Sequence, residues 1–350
     1  MTVGLIIVLG LILILPFVFR SIEHNLEYFL LAMGLCATII SGSLSLGLLK
    51  HIFENYLLYF ISAAVLIAGL GFRFSIKKIK RFVDFVVGHI PLKVFIFLIV
   101  VVLGLISSLI TAIIASLLLV EIVHALPLKH GRKVALTVTA CFSIGLGAAL
   151  TPIGEPLSTI VISALKADFF FLLKNIGFYV LPGIFALGLL AAFTIGRREP
   201  DADNTLKGPD WKAEENSIAE AETLRDVFIR AIKIFLFIIA LELLGSGFKP
   251  LIDTYIIHLD STILYWINMS SAVLDNATMA AAEISPAMST QQIRAILMGL
   301  LLSGGMLIPG NIPNIISAGK LNIKSREWAK FGLPIGISLL VIYFIALFLI

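Results

Sequence analysis

The sequence predicts an all-α polytopic membrane protein built on an inverted-topology repeat, with two re-entrant helical hairpins and two broken transmembrane helices. Three observations predict this fold class. First, 59% of the 350 residues are hydrophobic and only 14% are charged, which is more apolar surface than a water-soluble core needs. Second, two apolar segments each carry two prolines four residues apart, and paired prolines interrupt a helix. Third, Lys and Arg are concentrated in loops that one membrane topology places on the same face.

Residues 1–55 are predicted to form two N-terminal transmembrane helices outside the repeat, at about 2–19 and 28–49. The first has no basic N-terminal region and no small-residue cleavage site, so we expect a retained membrane helix. Cys36 and Cys141 both lie in apolar segments. This position argues against a structural disulfide, and no metal-ligand spacing is present.

Residues 56–195 form the first predicted repeat, which contains five elements. In order they are a crossing helix, a basic amphipathic stretch that suits the membrane interface, a re-entrant hairpin, a broken helix and a second crossing. The corresponding residues are 56–72, 75–93, 94–126, 134–165 and 175–195. Unpaired backbone at a break is tolerated inside a bilayer only where it lines a cavity or is buried in protein.

Residues 227–350 repeat the same order after a charged cytoplasmic linker at 196–226. Each hairpin has a pair of serines in its centre and a glutamate near its end, and each is followed by a Pro-x-x-x-Pro break. The second set of elements is at 227–247, 248–260, 261–290, 295–319 and 331–350. Because the two hairpins enter from opposite faces, the repeat is inverted, which favours alternating access around a midplane site.

The distribution of basic residues supports one-sided hairpins. With that topology, one face carries 19 Lys and Arg residues in its loops and the other face carries 5. The richer loops are 20–27, 73–93, 127–133, 196–226 and 320–330. The positive-inside rule then predicts a multi-pass protein of a prokaryotic-type inner (cell) membrane, with basic loops in the cytoplasm and both termini outside. The net charge of +4 follows this topology and forms no stripe, so we expect no nucleic-acid partner.

Two segments carry a resemblance to a known group. Residues 270–278, SSAVLDNAT, and residues 304–314, GGMLIPGNIPN, resemble the ion transporter superfamily, which includes D-type sodium/proton antiporters, arsenite pumps and divalent anion/sodium symporters. The chain looks most like a branch described as predicted cation transporters. The resemblance covers about residues 56–350 and implies a homodimer. We expect the predicted helices at about 2–19, 28–49, 56–72 and 227–247 to contribute to a static scaffold.

In that superfamily the hairpin tips and the helix breaks hold sodium and substrate. Carried over to this sequence, the resemblance implies a site formed by Asp275, Asn276, Thr278, Asn311 and Asn314. The first tip departs from the pattern, because it has hydroxyl groups but no Asn. Its candidate residues are Ser107, Ser108 and Thr111.

Acidic residues at membrane depth are the strongest candidates on chemical grounds. Glu155, between two prolines, and Asp275, at a hairpin tip, are costly to bury and are therefore expected to be functional or paired. The alternative for Glu155 is a structural carboxylate bound to freed backbone N–H groups. Hard cations prefer carboxylate, amide, hydroxyl and carbonyl oxygens, and Thr151 and Ser158 add hydroxyls to this set. We expect no cofactor other than a sodium-type ion held by Asp275 and Asn276.

Two further acids lie near the ends of the hairpins. Glu121 and Glu283 are candidate proton relays, and the alternative is that they are acids facing the membrane interface. His124 lies one helical turn from Glu121, but a histidine near a loop is more often solvated.

These features predict a secondary active transporter, most simply a cation/proton (sodium/proton-like) antiporter whose partners are a small inorganic cation, protons and the lipid bilayer. The alternative is a sodium-coupled symporter of an anion such as a dicarboxylate or an oxyanion. Two carboxylates pointing at the site favour a cation. We do not expect an enzyme, because no nucleophile–base pair or metal cluster is evident, and a channel does not need an inverted repeat with broken helices.

Overall fold

The computed structural model describes residues 1–19, 22, 25–55, 58–59, 62–63, 66–67, 70, 91–126, 128–195, 224–274 and 276–350. Within these ranges the chain forms fourteen α-helices and no strand. They are α1 Thr2–Val18, α2 Leu26–Ser41, α3 Leu46–Glu54, α4 Leu92–Ile110, α5 Ala112–Ala125, α6 His130–Ala148, α7 Pro156–Leu165, α8 Phe171–Thr194, α9 Leu224–Leu251, α10 Ser261–Ile267, α11 Asn276–Glu283, α12 Thr290–Gly304, α13 Ile312–Lys320 and α14 Ser325–Phe348. Asp275, most of the interfacial stretch 75–93 and most of the linker 196–226 lie outside the described residues.

Three of the described helices, α4, α8 and α14, are long and apolar enough to cross a membrane. The shortest of them has 19 residues, and at about 1.5 Å per residue it is about 28 Å long. The hydrocarbon core of a bilayer is about 30 Å thick. Length and composition therefore indicate a membrane protein.

The second N-terminal segment differs from its prediction. Residues 28–49, expected to be one helix, belong to α2 and α3 with a turn between them. Gly42 has a φ of +73° at the end of α2, a left-handed conformation that glycine adopts without a Cβ clash. The Ser45 side chain accepts a hydrogen bond from Leu48 N at 3.1 Å and so begins α3 as its N-cap.

Each predicted broken helix consists of two helices. The first break, residues 149–155, separates α6 from α7, and the second break, residues 305–311, separates α12 from α13. Pro156 is the first residue of α7, a position where its missing N–H would have no helical partner anyway. Pro313 is the second residue of α13. Helix formation thus resumes at a proline after each break.

The first limb of each hairpin runs in the same direction as the broken helix beside it. On α6, the Ser143 hydroxyl donates to Val100 O of α4 at 2.7 Å. Four residues further along both helices, Gly147 lies against the carbonyl of Gly104. In the second half, Gly299 of α12 lies against Tyr265 O of α10. Ser303, one turn later on α12, donates to Asn268 O at 2.8 Å.

Each hairpin also returns to the end from which it starts. At Thr111, with φ +78°, α4 ends and α5 begins, and Lys133 Nζ near the start of α6 donates to His124 O near the end of α5 at 2.8 Å. In the second half, Gln292 near the start of α12 donates to Leu259 O, just before α10, at 2.9 Å. The return limb α11 ends at Glu283, close in the chain to the start of α12.

The two broken helices run in opposite directions. Arg132 at the start of α6 donates to Ile195 O, just after α8, at 3.5 Å, so the start of α8 lies at the other end of the bundle. There, Arg294 Nε near the start of α12 donates to Asn175 O of α8 at 3.2 Å. Hence α6 begins at one end of the bundle and α12 at the other.

We call the end where α6 begins the basic end. It brings the loops around residues 127–133 and 320–327 together, because His130 Nε2 lies 3.0 Å from Glu327 Oε1. At the opposite end, Lys166 Nζ lies 2.6 Å from His51 Nε2. These two contacts place the described loops around residues 130, 327, 51 and 166 at opposite ends of the bundle.

The helices α2 and α9 form a closely packed pair that supports the site. A Cβ placed on Gly34 of α2 would lie 2.9 Å from Leu243 Cβ of α9, and small residues allow this approach. Lys233 Nζ lies 2.6 Å from Glu27 Oε1 across the same interface. Because α9 also contacts α7 and α11, this pair backs the region around the breaks.

Candidate functional site

The two helix breaks lie against each other through the last turns of α6. A Cβ placed on Gly145 would lie 2.7 Å from Asn311 Nδ2, and the ring of Phe142 lies against Gly305. In addition, α7 packs against α11, and α13 packs against α5. The helix that follows each break therefore contacts the hairpin of the other half, which brings residues of both halves to one place.

The first break is bound to the bend of the first hairpin. The Thr151 hydroxyl donates to Ser108 O, and Ala112 N donates to Gly154 O at 2.8 Å. Thr151 Oγ1 in turn accepts a hydrogen bond from Ile153 N at 3.3 Å. These bonds satisfy backbone groups that the prolines release from the helix.

Other hydroxyls near the first break also donate to carbonyls. Ser158 donates to Ala148 O at 3.4 Å and Thr159 to Pro152 O at 2.8 Å. Ser107, on the first hairpin, lies within 3.0 Å of Ile144 O of α6. Each of these side chains is buried. Because each hydroxyl hydrogen has a carbonyl partner, the hydroxyls close the first break, although their oxygens keep acceptor lone pairs.

Glu155 is the N-cap residue of α7 and is buried, with only 5% of its surface exposed. Its side chain accepts no hydrogen bond from the first turn of that helix. A cap of α7 by this carboxylate is therefore not observed. The carboxylate nonetheless lies at the positive end of the α7 dipole, where a negative charge is favourable.

The second break is surrounded by amide side chains. Asn314 Nδ2 donates to Gly304 O and to Leu307 O, both at 2.8 Å. A Cβ placed on Gly304 would lie 3.7 Å from Asn276 Nδ2 and 3.7 Å from Asn311 Cβ. Three predicted site residues, Asn276, Asn311 and Asn314, therefore converge on Gly304.

Several buried polar atoms at the second break have no hydrogen-bond partner among the described residues. They are Asn314 Oδ1, Asn276 Nδ2, Ser271 Oγ and Asn268 Oδ1. Leaving a buried polar group unpaired costs about 1–3 kcal/mol, so such atoms call for an explanation, for which an ion or a water is the usual one. The second break therefore differs from the first in carrying buried amide and hydroxyl atoms without a partner among the described residues.

One family model matches almost the whole chain. The family described as Protein of unknown function (DUF1646) matches residues 2–350. The chain belongs to that family. Curated proteins provide no match to the chain. The activity of this DUF1646 protein must therefore be argued from its site.

The remaining predicted residues of this DUF1646 protein occupy several places. Thr278 is buried in α11, and Asp275, which precedes that helix in the chain, lies outside the described residues. Ser108 donates to Leu105 O within α4 at 2.8 Å. Thr111 has a positive φ, and for a β-branched residue this conformation is strained.

The two candidate relay acids occupy different places. Glu283 Oε2 accepts a hydrogen bond from Asn268 Nδ2 at 2.8 Å, which links it to the cluster beside the second break. Glu121 lies on α5, one turn before His124, and so lies toward the basic end. Within the described residues there is no group of three or more His, Cys, Asp and Glu side chains that could hold a metal ion.

Sequence reasoning missed two residues of the second break. Asn268 is completely buried and bonds to Glu283, and Ser271 is completely buried with an unpartnered hydroxyl. The spacing contained a clue, because Asn268 and Ser271 are three residues apart and lie on one face of a single helical turn.

Proposed function

We propose that this protein is a secondary active transporter, namely a sodium/proton-like cation/proton antiporter that works by alternating access around the two helix breaks. The observation that carries the proposal is the set of buried amide and hydroxyl atoms at the second break that have no partner among the described residues. Oxygen atoms of these types are ligands for hard cations. The α7 helix that begins after Glu155 packs against α11, so a carboxylate of the first half is expected near this set.

The directions of the helices support an inverted repeat with re-entrant hairpins. In each half, the first limb of the hairpin runs parallel to the broken helix and the return limb comes back to its start. The two broken helices run in opposite directions. With this arrangement, helix ends of both polarities point into the middle of the bundle, as in transporters with discontinuous helices.

Cysteine labelling can test this architecture directly. A one-sided first hairpin requires the loops at 73–93 and 127–133 to be accessible from the same face of the membrane. We expect single cysteines in both loops to react with an impermeant reagent from the cytoplasmic face. Labelling of the two loops from opposite faces would show that the hairpin crosses the membrane.

The proposed coupling is competition between a cation and a proton. Two carboxylates near one empty site repel each other, so the site favours a bound proton when no cation is present. A bound cation favours the ionised forms and expels that proton. Exchange follows if the protein changes its orientation only when it is loaded with one or the other. Glu155 and Asp275 are the proposed pair, and Asn276, Asn311 and Thr278 complete the cation shell.

A sodium-coupled anion symporter is the second candidate, because one observation favours it. The unpartnered Nδ2 of Asn276 is a hydrogen-bond donor, and the N-termini of α7 and α13 carry partial positive charge. These are the groups that bind an oxyanion or a carboxylate. Against it, an anion beside Glu155 would meet a like charge.

Transport by reconstituted protein separates the two candidates. Proteoliposomes containing a pH dye would be exposed in turn to Na+, Li+, K+ and a panel of dicarboxylates. When a cation gradient alone is applied, an antiporter should move protons in the direction opposite to the cation. Inward cation flow should therefore alkalinise the lumen, and outward cation flow should acidify it. Uptake of a labelled dicarboxylate that depends on Na+, without a cation-driven pH change, would contradict the antiporter and favour the symporter.

We also propose a homodimer in which the predicted helices at about 2–19, 28–49 and 56–72, together with α9, contribute to a static scaffold. The close α2–α9 pair supports a rigid unit of this kind. Light scattering of the protein in mild detergent should give the mass of two chains. A single-chain mass over a broad concentration range would argue against the dimer.

A further inference from the structure

A cavity at the basic end lies between the two halves of the chain. Its volume is about 200 Å³, and its polar lining comes from His124, His130, Lys133, Lys320 and Asn322. The first three residues belong to α5 and α6, and the last two lie at the end of α13. The cavity is therefore separate from the helix breaks and is bordered by the helix that leaves the second break.

The lining of this cavity is positively charged. None of the described residues that line it is acidic. Lys133 Nζ uses one of its three donors on His124 O. Glu327 Oε1, which is not part of the lining, lies 3.0 Å from His130 Nε2. Lys320 is exposed at the end of α13.

The start of α6 adds backbone donors to the same region. This helix begins at His130, and Lys129 at its N-cap forms no side-chain cap. The first N–H groups of a helix have no intrahelical partner and favour an anion. A Cβ placed on Gly131 would meet nothing within 4 Å, so there is open space beside this residue of the first turn.

The preference for basic loops on one face does not account for this arrangement by itself. That preference concerns the number of Lys and Arg residues in loops, and it is satisfied by cations that point into water. Here Lys133 and Lys320, which are far apart in the sequence, line one cavity together. Like charges that share a cavity repel each other, and a bound anion removes that repulsion.

We infer that this cavity binds a phosphate group, supplied either as inorganic phosphate or as the headgroup of an anionic lipid. Its volume lies below the range of about 300–1,000 Å³ that is usual for larger ligands, which suits a group of phosphate size. Lysine is a common phosphate ligand as a point charge. Asn322, in the left-handed region with φ +53°, ends α13 and contributes to the polar lining.

Because the lining comes from α5, α6 and α13, a phosphate bound here joins the first half of the chain to the second. A ligand that binds only the assembled cavity stabilises the folded protein. This inference is independent of the transported ion, and its test does not depend on transport.

The test uses the full-length protein and two probes. Inorganic phosphate would be titrated into the detergent-solubilised protein by calorimetry. The second probe is nanodiscs of phosphatidylcholine with or without phosphatidic acid, with the thermal midpoint of unfolding as the readout. Lys320→Gln removes a cation from the cavity, and Lys330→Gln is the matched control, because Lys330 is exposed on α14 and does not line the cavity.

We expect Lys320→Gln to weaken phosphate binding at least about tenfold, as for loss of a charged hydrogen bond, while Lys330→Gln binds like the wild type. Lys133→Gln should have a similar effect on binding. A loss in the phosphate titration identifies a soluble anion, and a loss only in the phosphatidic acid nanodiscs identifies a lipid headgroup. Absence of binding with both probes, or equal weakening by Lys320→Gln and Lys330→Gln, would overturn the inference.

Discussion

The two helix breaks solve the same backbone problem with different side chains. The first break uses hydroxyls, and Thr151, Ser158 and Thr159 each donate to a carbonyl nearby. The second break uses amides, and Asn314 donates twice to carbonyls with its Nδ2. However, its Oδ1, together with Asn276 Nδ2 and Ser271 Oγ, has no partner among the described residues.

This difference separates a closed junction from an open one. A hydroxyl has a single hydrogen, which one carbonyl satisfies, whereas an amide has two donors and an oxygen that still needs a partner. The first break therefore contributes the carboxylate of Glu155 and a tight framework. The second break contributes neutral polar atoms that have no partner among the described residues.

We expect the largest effect on transport from removal of the proposed carboxylate pair. We expect Asp275→Asn and Glu155→Gln each to abolish cation-driven proton movement in proteoliposomes, because the competition needs groups that exchange protons. Both proteins should still insert and fold, as judged by size-exclusion chromatography. Asp168→Asn is the control, because that carboxylate lies in an exposed loop beside Lys174 at 3.2 Å.

Full exchange with normal pH dependence in both carboxylate variants would contradict the antiport mechanism. In that case the symporter of an anion would become the better proposal, because it needs no exchangeable proton in the site.

A pair of substitutions at the two breaks should have opposite effects on stability and ligand affinity. Thr159→Val removes a bond to Pro152 O and should lower the free energy of unfolding by about 1–2 kcal/mol, with little change in cation affinity. Asn276→Ala removes an Nδ2 that has no partner among the described residues, so we expect little loss of stability, and it also removes the amide oxygen that we propose as a cation ligand. It should weaken the apparent cation affinity about tenfold, as for loss of one ligand.

Thermal unfolding in detergent and the cation dependence of transport supply the two measurements. If Asn276→Ala were the more destabilising substitution and kept full cation affinity, the second break would be a structural junction and the contrast between the breaks would fail.

Thr278→Ala should have a smaller effect on transport. Thr278 is buried on α11, and its hydroxyl is a neutral member of the proposed cation shell. We expect a severalfold rise in the cation concentration for half-maximal exchange, with less change in the maximal rate. Thr278→Ser, which keeps the hydroxyl, should restore the affinity. A rate loss with unchanged affinity would place Thr278 outside the shell.

The smallest effect concerns the bend of the first hairpin. Thr111, with φ +78° and ψ +148°, is in a region that favours glycine, and strain of this kind costs about 1–3 kcal/mol. Thr111→Gly should therefore raise the free energy of unfolding by about 1 kcal/mol. The gain is reduced by the loss of the hydrogen bond that Thr111 Oγ1 accepts from Ile114 N at 3.5 Å. Ala in the same position should not stabilise it, because its Cβ keeps the clash.

Much of the chain could be predicted because prolines and hydrophobic runs act locally. The breaks follow from Pro152, Pro156, Pro309 and Pro313, and the first hairpin turns at Thr111, within the predicted polar centre. The second hairpin was predicted at 261–290 with its tip at 270–278, and the structure divides it among α10, a 3-10 turn at Asn268–Ala272 and α11. That division depends on how these residues pack on α12, which no local pattern specifies.

Contacts between distant residues set the limit of prediction for the site. The convergence of three asparagines on Gly304 was implied by resemblance, but the approach of Asn311 to Gly145 requires the two broken helices to be packed together. The basic cavity could not be found from sequence, because Lys133 and Lys320 come from different halves and share no motif.

The hydrogen bonds of the first break also bear on the order in which the protein is made. Those bonds join residues 107–159 to one another, and translation completes this stretch before residues 224–350 have left the ribosome. A nascent first half can therefore satisfy its own broken backbone while the second half is still being synthesised. The Asn311–Gly145 contact forms only after both halves exist, so we expect docking of the halves to be the last step of membrane assembly.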